Sequence, residues 1–144
     1  ASTIAYYLTD PYYNADFQIS YTVTDPHGGT DTAILSVDVV PQNDPPVGVS
    51  EGIGVLPGTA EETPIVIPVS ALLANGDFDP EGDAFRISAV NAFSWYGGSA
   101  VLGDNGTPTD YADDFVTFTP WLNFNGDGYF YYTLTDAGGA SDVD

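Results

Sequence analysis

Tyr21-Thr22-Val23-Thr24-Asp25 returns 111 residues later as Tyr132-Thr133-Leu134-Thr135-Asp136. Slid on itself at that offset without a gap, the chain is identical at eight of the eighteen positions from 14 to 31. Asn14 falls on Asn125, Asp16 on Asp127, Gly28 on Gly139 and Asp31 on Asp142. Ile19 on Phe130, Val23 on Leu134 and Thr30 on Ser141 keep the character of the side chain. Self-similarity at a fixed period is the mark of one folded unit repeated in tandem. A period of about 111 residues makes 1–43 the C-terminal strands of one unit plus a linker. Residues 44–144 are then a second unit that lacks its last strand. The boundary is Pro41-Gln42-Asn43-Asp44-Pro45-Pro46, where prolines remove backbone donors and hold the chain extended.

Working outward, the period of the apolar residues is two. Phe17, Ile19, Tyr21 and Val23 alternate with polar neighbours, as do Leu35, Val37 and Val39, and Ile65, Ile67 and Val69. Residues 85–88 and 115–118 are further strands, and 25–29, 103–106 and 125–128 carry the Asp, Asn, Gly and Pro of turns. A single helical turn is expected at 70–74, with Ser70 as its N-cap. Many short strands with regular turns make an all-β sandwich.

Composition excludes several functions. The chain has 21 acidic residues against one basic residue, Arg86, for a net charge of −20. Such a surface repels nucleic acid and anionic lipid, whose phosphates need Lys and Arg. It also repels itself unless cations bind or salt screens it. A general solubility or high-salt adaptation is the plain reading of this charge, and binding of hard cations the sharper one. With no cysteine, neither disulfides nor zinc–thiolate sites exist. No apolar run approaches the length of a membrane helix, so no membrane insertion is expected. The chain opens mid-pattern without a signal peptide and reads as an excerpt of a longer or mature protein. No catalytic constellation is present: His27 sits in a Pro-His-Gly-Gly turn, and Asp113-Asp114 is a chance pair among 21 acids. The chain is therefore expected not to be an enzyme.

Asp77-x-Asp79-x-Glu81-Gly82-Asp83 sets acids at alternating positions with a glycine at the sharp turn. This is the spacing of the first seven positions of an EF-hand loop. The twelfth position is Ser88 rather than a bidentate glutamate, and strands flank the loop. It is a calcium-loop spacing without an EF-hand; the other reading is an acidic hairpin turn.

Taken together, these segments resemble a bacterial cadherin-like, Ig-like repeat of large extracellular adhesins. The carriers are Tyr21–Asp25, Gly28–Ala33, Val37–Val40 and Asn43-Asp44-Pro45-Pro46 in the first unit. In the second they are Glu61-Glu62-Thr63-Pro64, Leu72–Asp83, Phe118-Thr119-Pro120 and Phe124-Asn125-Gly126. Gly76, inserted between Asn75 and Asp77, departs from the usual pattern. The resemblance implies a Greek-key sandwich and Ca2+ at the junction between successive units. Its ligands would be Asn43 and Asp44 from the linker, Glu62 from the opening strand, and Asp77, Asp79 and Asp83 from the loop, with Glu81 beside them. An ordinary Asn-Asp-Pro-Pro turn is the competing reading of the linker. Asp25 and Asp136 are expected to bond their own turns.

Neighbouring aromatics must point to opposite faces of a strand. Trp95, Tyr96 and Trp121 are therefore candidates for protein contact or sugar stacking, against the reading of a second packed face. Asn105-Gly106-Thr107 is a glycosylation sequon in a loop. The expected function is a structural repeat of a calcium-stabilised, cell-surface adhesin stalk, contacting neighbouring repeats or identical chains head to tail. Two rivals are a filament subunit completed by strand exchange through residues 32–40, and a carbohydrate-binding module.

Overall fold

The computed structural model describes residues 5–52, 56–91 and 97–144. The chain divides into two compact units, 1–43 and 44–144.

The first unit is built on a hairpin of β1 (Phe17–Thr24) and β2 (Thr30–Val37), paired in full register from Phe17↔Val37 to Thr24↔Thr30. Alternation sorts its faces. Phe17 stands opposite Val37, Ile19 opposite Leu35 and Tyr21 opposite Ala33 on one face. Gln18 bonds Ser36 at 3.3 Å and Thr22 bonds Thr32 at 3.1 Å on the other. The turn is held by Asp25, whose Oδ1 accepts the N–H groups of His27 and Gly29 at 2.8 Å each. Gly28 at φ +87° supplies the left-handed residue this turn requires.

The second unit is a sandwich of two antiparallel sheets. One has the order β3 (Ile65–Pro68), β6 (Phe115–Pro120), β5 (Gly98–Gly103). The other has the order β4 (Phe85–Asn91), β7 (Tyr131–Asp136), β8 (Ser141–Val143). Period-two alternation sends Ile67, Val116 and Phe118 inward from the first sheet and Ile87, Tyr132 and Leu134 inward from the second. Val69 and Leu72 close the same core. A bulge between Ile87 and Ala89 frees Ser88, which shares a hydrogen bond of 2.6 Å with Thr135 Oγ1.

The helical turn falls one residue earlier than the sequence suggests. It spans Val69–Leu72, continues as a 3-10 turn through Asn75, and Pro68 rather than Ser70 is its N-cap. Burial decides this. Val69 and Leu72, at i and i+3, both face the core, and Ser70 is left exposed. The Val69 N–H is satisfied by the Asp114 carbonyl at 3.0 Å instead of by a side-chain cap.

The C-terminal residues Ser141–Val143 form β8, paired to β7. Its pairing Thr133↔Val143 has the same register as Thr22↔Thr32 of the first hairpin. The two turns also bond alike, with Asp136 Oδ1 accepting from Gly139 at 2.6 Å and from Ala140 at 2.9 Å. Burial separates the hairpins. Tyr132 is 1% exposed and Leu134 fully enclosed, whereas Tyr21 and Val23 are 38% and 56% exposed. The first pair faces a second sheet within its own unit; β1 and β2 form the only sheet described in theirs.

Candidate functional site

Strand register sets the acidic loops at one end of the sandwich. Pro68, Phe115 and Gly103 form one cross-strand row, and Phe85 lies opposite Asp136. The loop before β4 and the loop between β5 and β6 both open at this end.

In the first of these loops Asp79 is the organiser. It is 8% exposed, and its Oδ1 accepts the N–H groups of Glu81 and Asp83 at 3.0 Å each. The Gly82 N–H reaches the Asp79 carbonyl at 3.1 Å, with Gly82 at φ +80°. The other carboxylate oxygen, Oδ2, is enclosed and meets no donor among the described residues. Glu81 Oε2 accepts the Asp44 N–H at 3.1 Å and so ties the start of this unit to the loop. The Val47–Phe78 bridge, with N–H···O distances of 2.7 and 3.2 Å, reinforces that tie.

Of the residues singled out from sequence, Asp44, Asp79, Glu81 and Asp83 are thus brought together. Asp77 is turned to the Val49 N–H at 2.7 Å, with its Oδ2 also enclosed, and burial lifts its carboxyl above the usual range. Glu62, exposed at φ +61°, precedes the end of β3 where Ile65 meets Phe118, away from the Pro68 row. Asn43 is exposed and closes the first unit. Among the described residues no three acids converge on one ion-sized point. What the loop offers is a hydrogen-bonded frame around Asp79, whose Oδ2 has no donor among the described residues, with the carboxylates of Glu81 and Asp83 close by in the same turn.

A second acidic cluster escaped the sequence reading. The Tyr132 hydroxyl lies 3.1 Å from both Glu51 Oε1 and Asp144 Oδ2. Ser50 Oγ donates to Asp144 Oδ1 at 2.6 Å, and Asn75 Nδ2 to Glu51 Oε1 at 3.3 Å. Burial raises the Glu51 carboxyl, with Asp144 adding to it, and pushes the Tyr132 hydroxyl far above its ordinary value. Glu51 and Tyr132 stand 81 residues apart in sequence, and Tyr132 and Asp144 stand 12 apart, so no local spacing announces the cluster.

The remaining candidates are dispersed. Trp121 is 44% exposed, and its backbone N–H bonds the Gly97 carbonyl at 2.9 Å. Trp95 and Tyr96 lie outside the described residues. Asn105 is exposed at φ +50°, and its amide already donates to Asp113 Oδ2 at 3.1 Å.

Two antiparallel sheets packed face to face, with β3, β6 and β5 on one side and β4, β7 and β8 on the other, define an Ig-type sandwich. Residues 43–144 match the family model of the bacterial Ig domain. The chain belongs to that family, a family of structural, non-enzymatic domains typical of surface proteins. No curated protein matches the chain. Among the described residues no helix is long and apolar enough to cross a membrane.

Proposed function

We propose that the chain is a non-enzymatic structural segment of an extracellular array of Ig-type domains, an adhesin stalk or fibre stiffened by calcium at the 77–83 loop. The observation that carries the reading is Asp79. One of its oxygens builds the loop, and the other is enclosed with no donor among the described residues. An unpaired buried carboxylate oxygen is costly, and a hard cation is one partner able to remove that cost. Glu81, Asp83 and the Asp44 carboxylate supply further oxygens once their side chains rotate toward it. The benefit is large for a chain of net charge −20, because a bound cation relieves repulsion across the whole acidic end.

The test is a thermal melt in calcium and in chelator. Extracellular calcium modules bind at about 0.1–1 mM, so ~10 mM calcium should stabilise by about 1–3 kcal/mol. For a domain of this size that is a rise of roughly 5–15 °C. Asp79→Asn combined with Asp83→Asn should remove the difference between the two melts. Superimposable curves for the unsubstituted protein would refute calcium stabilisation.

The open hairpin face favours a companion reading. Tyr21 and Val23 are exposed at positions whose counterparts Tyr132 and Leu134 are sealed. A further sheet covers such a face either in a neighbouring domain of the array or in another copy, as in a strand-exchange filament. Light scattering separates these. A filament subunit gives concentration-dependent polymers, and an array segment stays at its 15.2 kDa monomer mass.

A further inference from the structure

The hairpin of the first unit has one unpaired edge, and its donors can be named. Asp25 gives its N–H to the Gly29 carbonyl at 2.8 Å, so that pair is bonded across the hairpin. Bonded and non-bonded pairs alternate along an antiparallel ladder. Val23↔Asp31 and Tyr21↔Ala33 are therefore bonded pairs, and the N–H groups of Thr24, Thr22, Ser20 and Gln18 point away from β2. Among the described residues no strand pairs with that edge. The repeat shows what such an edge takes. Shifted by 111 residues, β1 becomes β7, whose Tyr132 and Asp144 exchange N–H···O bonds of 2.8 and 3.0 Å. By the same alternation the N–H groups of Thr133 and Thr135 face the other way. There β7 pairs with β4, with Arg86↔Thr135, Ala89↔Thr133 and Asn91↔Tyr131. Ile87 and Val90 of β4 stand opposite Leu134 and Tyr132, which are buried. Val23 and Tyr21, their counterparts on β1, are exposed.

A two-stranded hairpin is marginal in water by itself, and a further strand that extends its apolar face stabilises it. Charge narrows the choice of strand. Residues 1–43 hold five aspartates and no Lys or Arg, whereas Phe85–Asn91 has Arg86 as its single charged residue. An acidic strand would meet like charge on this hairpin, and one of the β4 kind brings a cation instead. A second copy of this chain is a poor donor, because Ile87 anchors its β4 in its own core. Resting on the array reading above, we infer that the free edge of β1 accepts a strand of the β4 kind from a neighbouring Ig-type domain of the array. The strand lies antiparallel in the register of β4 on β7. Its basic residue falls opposite Thr24, its small residue opposite Thr22, and its apolar residues opposite Val23 and Tyr21. The edge of β2 is not an acceptor, since its counterpart β8 pairs only with β7 among the described residues.

The test tethers a second copy of the sequence of residues 84–91 ahead of the 144-residue chain through a flexible linker of about 15 Gly and Ser residues. Such a tether holds the strand at an effective concentration in the millimolar range. Amide hydrogen exchange is the readout. Exchange at Ser20, Thr22 and Thr24 should slow about tenfold or more against the untethered chain, while Ile34 and Ser36 on the β2 edge stay unchanged. A tether of the same composition in scrambled order should slow nothing. Thr22→Pro removes a donor on the accepting edge and should abolish the protection at Ser20 and Thr24; proline is tolerated where the N–H faces off an edge. Thr32→Pro loses the same Thr22–Thr32 hydroxyl contact but leaves the accepting edge whole, and should keep the protection. No slowing, equal slowing with the scrambled tether, or slowing on the β2 edge overturns the inference and leaves the array reading standing. Protection that rises with concentration in the untethered chain assigns the edge to a second copy and overturns both.

Discussion

Leu134→Ala should lower the stability of the second unit by about 2–5 kcal/mol, while Val23→Ala at the matching position of the first hairpin costs less than about 1 kcal/mol. Leu134 is fully enclosed between the two sheets, so truncation forfeits its transfer energy and leaves a cavity that close-packed neighbours cannot fill. Val23 is 56% exposed and loses little on truncation. Urea titration of both variants, followed by the near-ultraviolet signal of the core tyrosine, measures the contrast. Equal losses would mean that the first hairpin also packs against a sheet, or that Leu134 is not in the core.

Tyr132→Phe should cost about 1–3 kcal/mol at neutral pH, and less in mild acid. The hydroxyl has one hydrogen and lies 3.1 Å from two carboxylates, so removing it takes the shared donor from both. The ring itself is conserved, so the packing around it is retained. The pH dependence follows from Glu51, whose carboxyl is raised above its unfolded value by burial and by Asp144. The folded state therefore binds that proton more tightly than the unfolded state. The cost of keeping Glu51 charged is fully present above the folded value and disappears as pH falls below the unfolded value near 4.5. Asp114, raised by burial and by three neighbouring aspartates, acts in the same direction. Asp113 is lowered by its bonds to Thr107 and Asn105, so its contribution is lost only as pH falls through a window below 3.8. Melting temperature should accordingly climb as pH is lowered from 7 toward the unfolded Glu51 value near 4.5. The increment should be smaller in Asp114→Asn, and the penalty of Tyr132→Phe should shrink as Glu51 takes up a proton of its own. A melt that falls steadily over that interval would contradict the assignment of these groups.

Much of the architecture was legible without coordinates. Period-two alternation at 17–23 and at Ile65 and Ile67 named strands, because a pleated backbone sends successive side chains to opposite faces, while Val69, read in the same alternation, opens the helical turn. Asp25 and Asp136 were expected to hold their own turns, and both accept the N–H groups three and four residues on or two and four residues on. The helical turn was placed from Ser70, whose capping chemistry is local, but the choice of Pro68 came from Val69 and Leu72 meeting the core. The acidic loop was visible as a spacing, yet spacing does not say where an oxygen points. Asp77 turns to Val49, Asp79 builds the turn, and Glu62 sits at the other end of β3.

The amino-acid order by itself determined a β-rich, cysteine-free, strongly anionic chain with a hairpin written twice, since periodicity, turn chemistry and charge are local properties. Only the tertiary structure decided that one copy of that hairpin is sealed and the other exposed, that Tyr132 gathers Glu51 and Asp144, and that Asp114 Oδ1 is enclosed with no donor among the described residues. Those outcomes depend on which distant segments meet, and burial, which sets the cost of every unpaired oxygen, exists only once they have met.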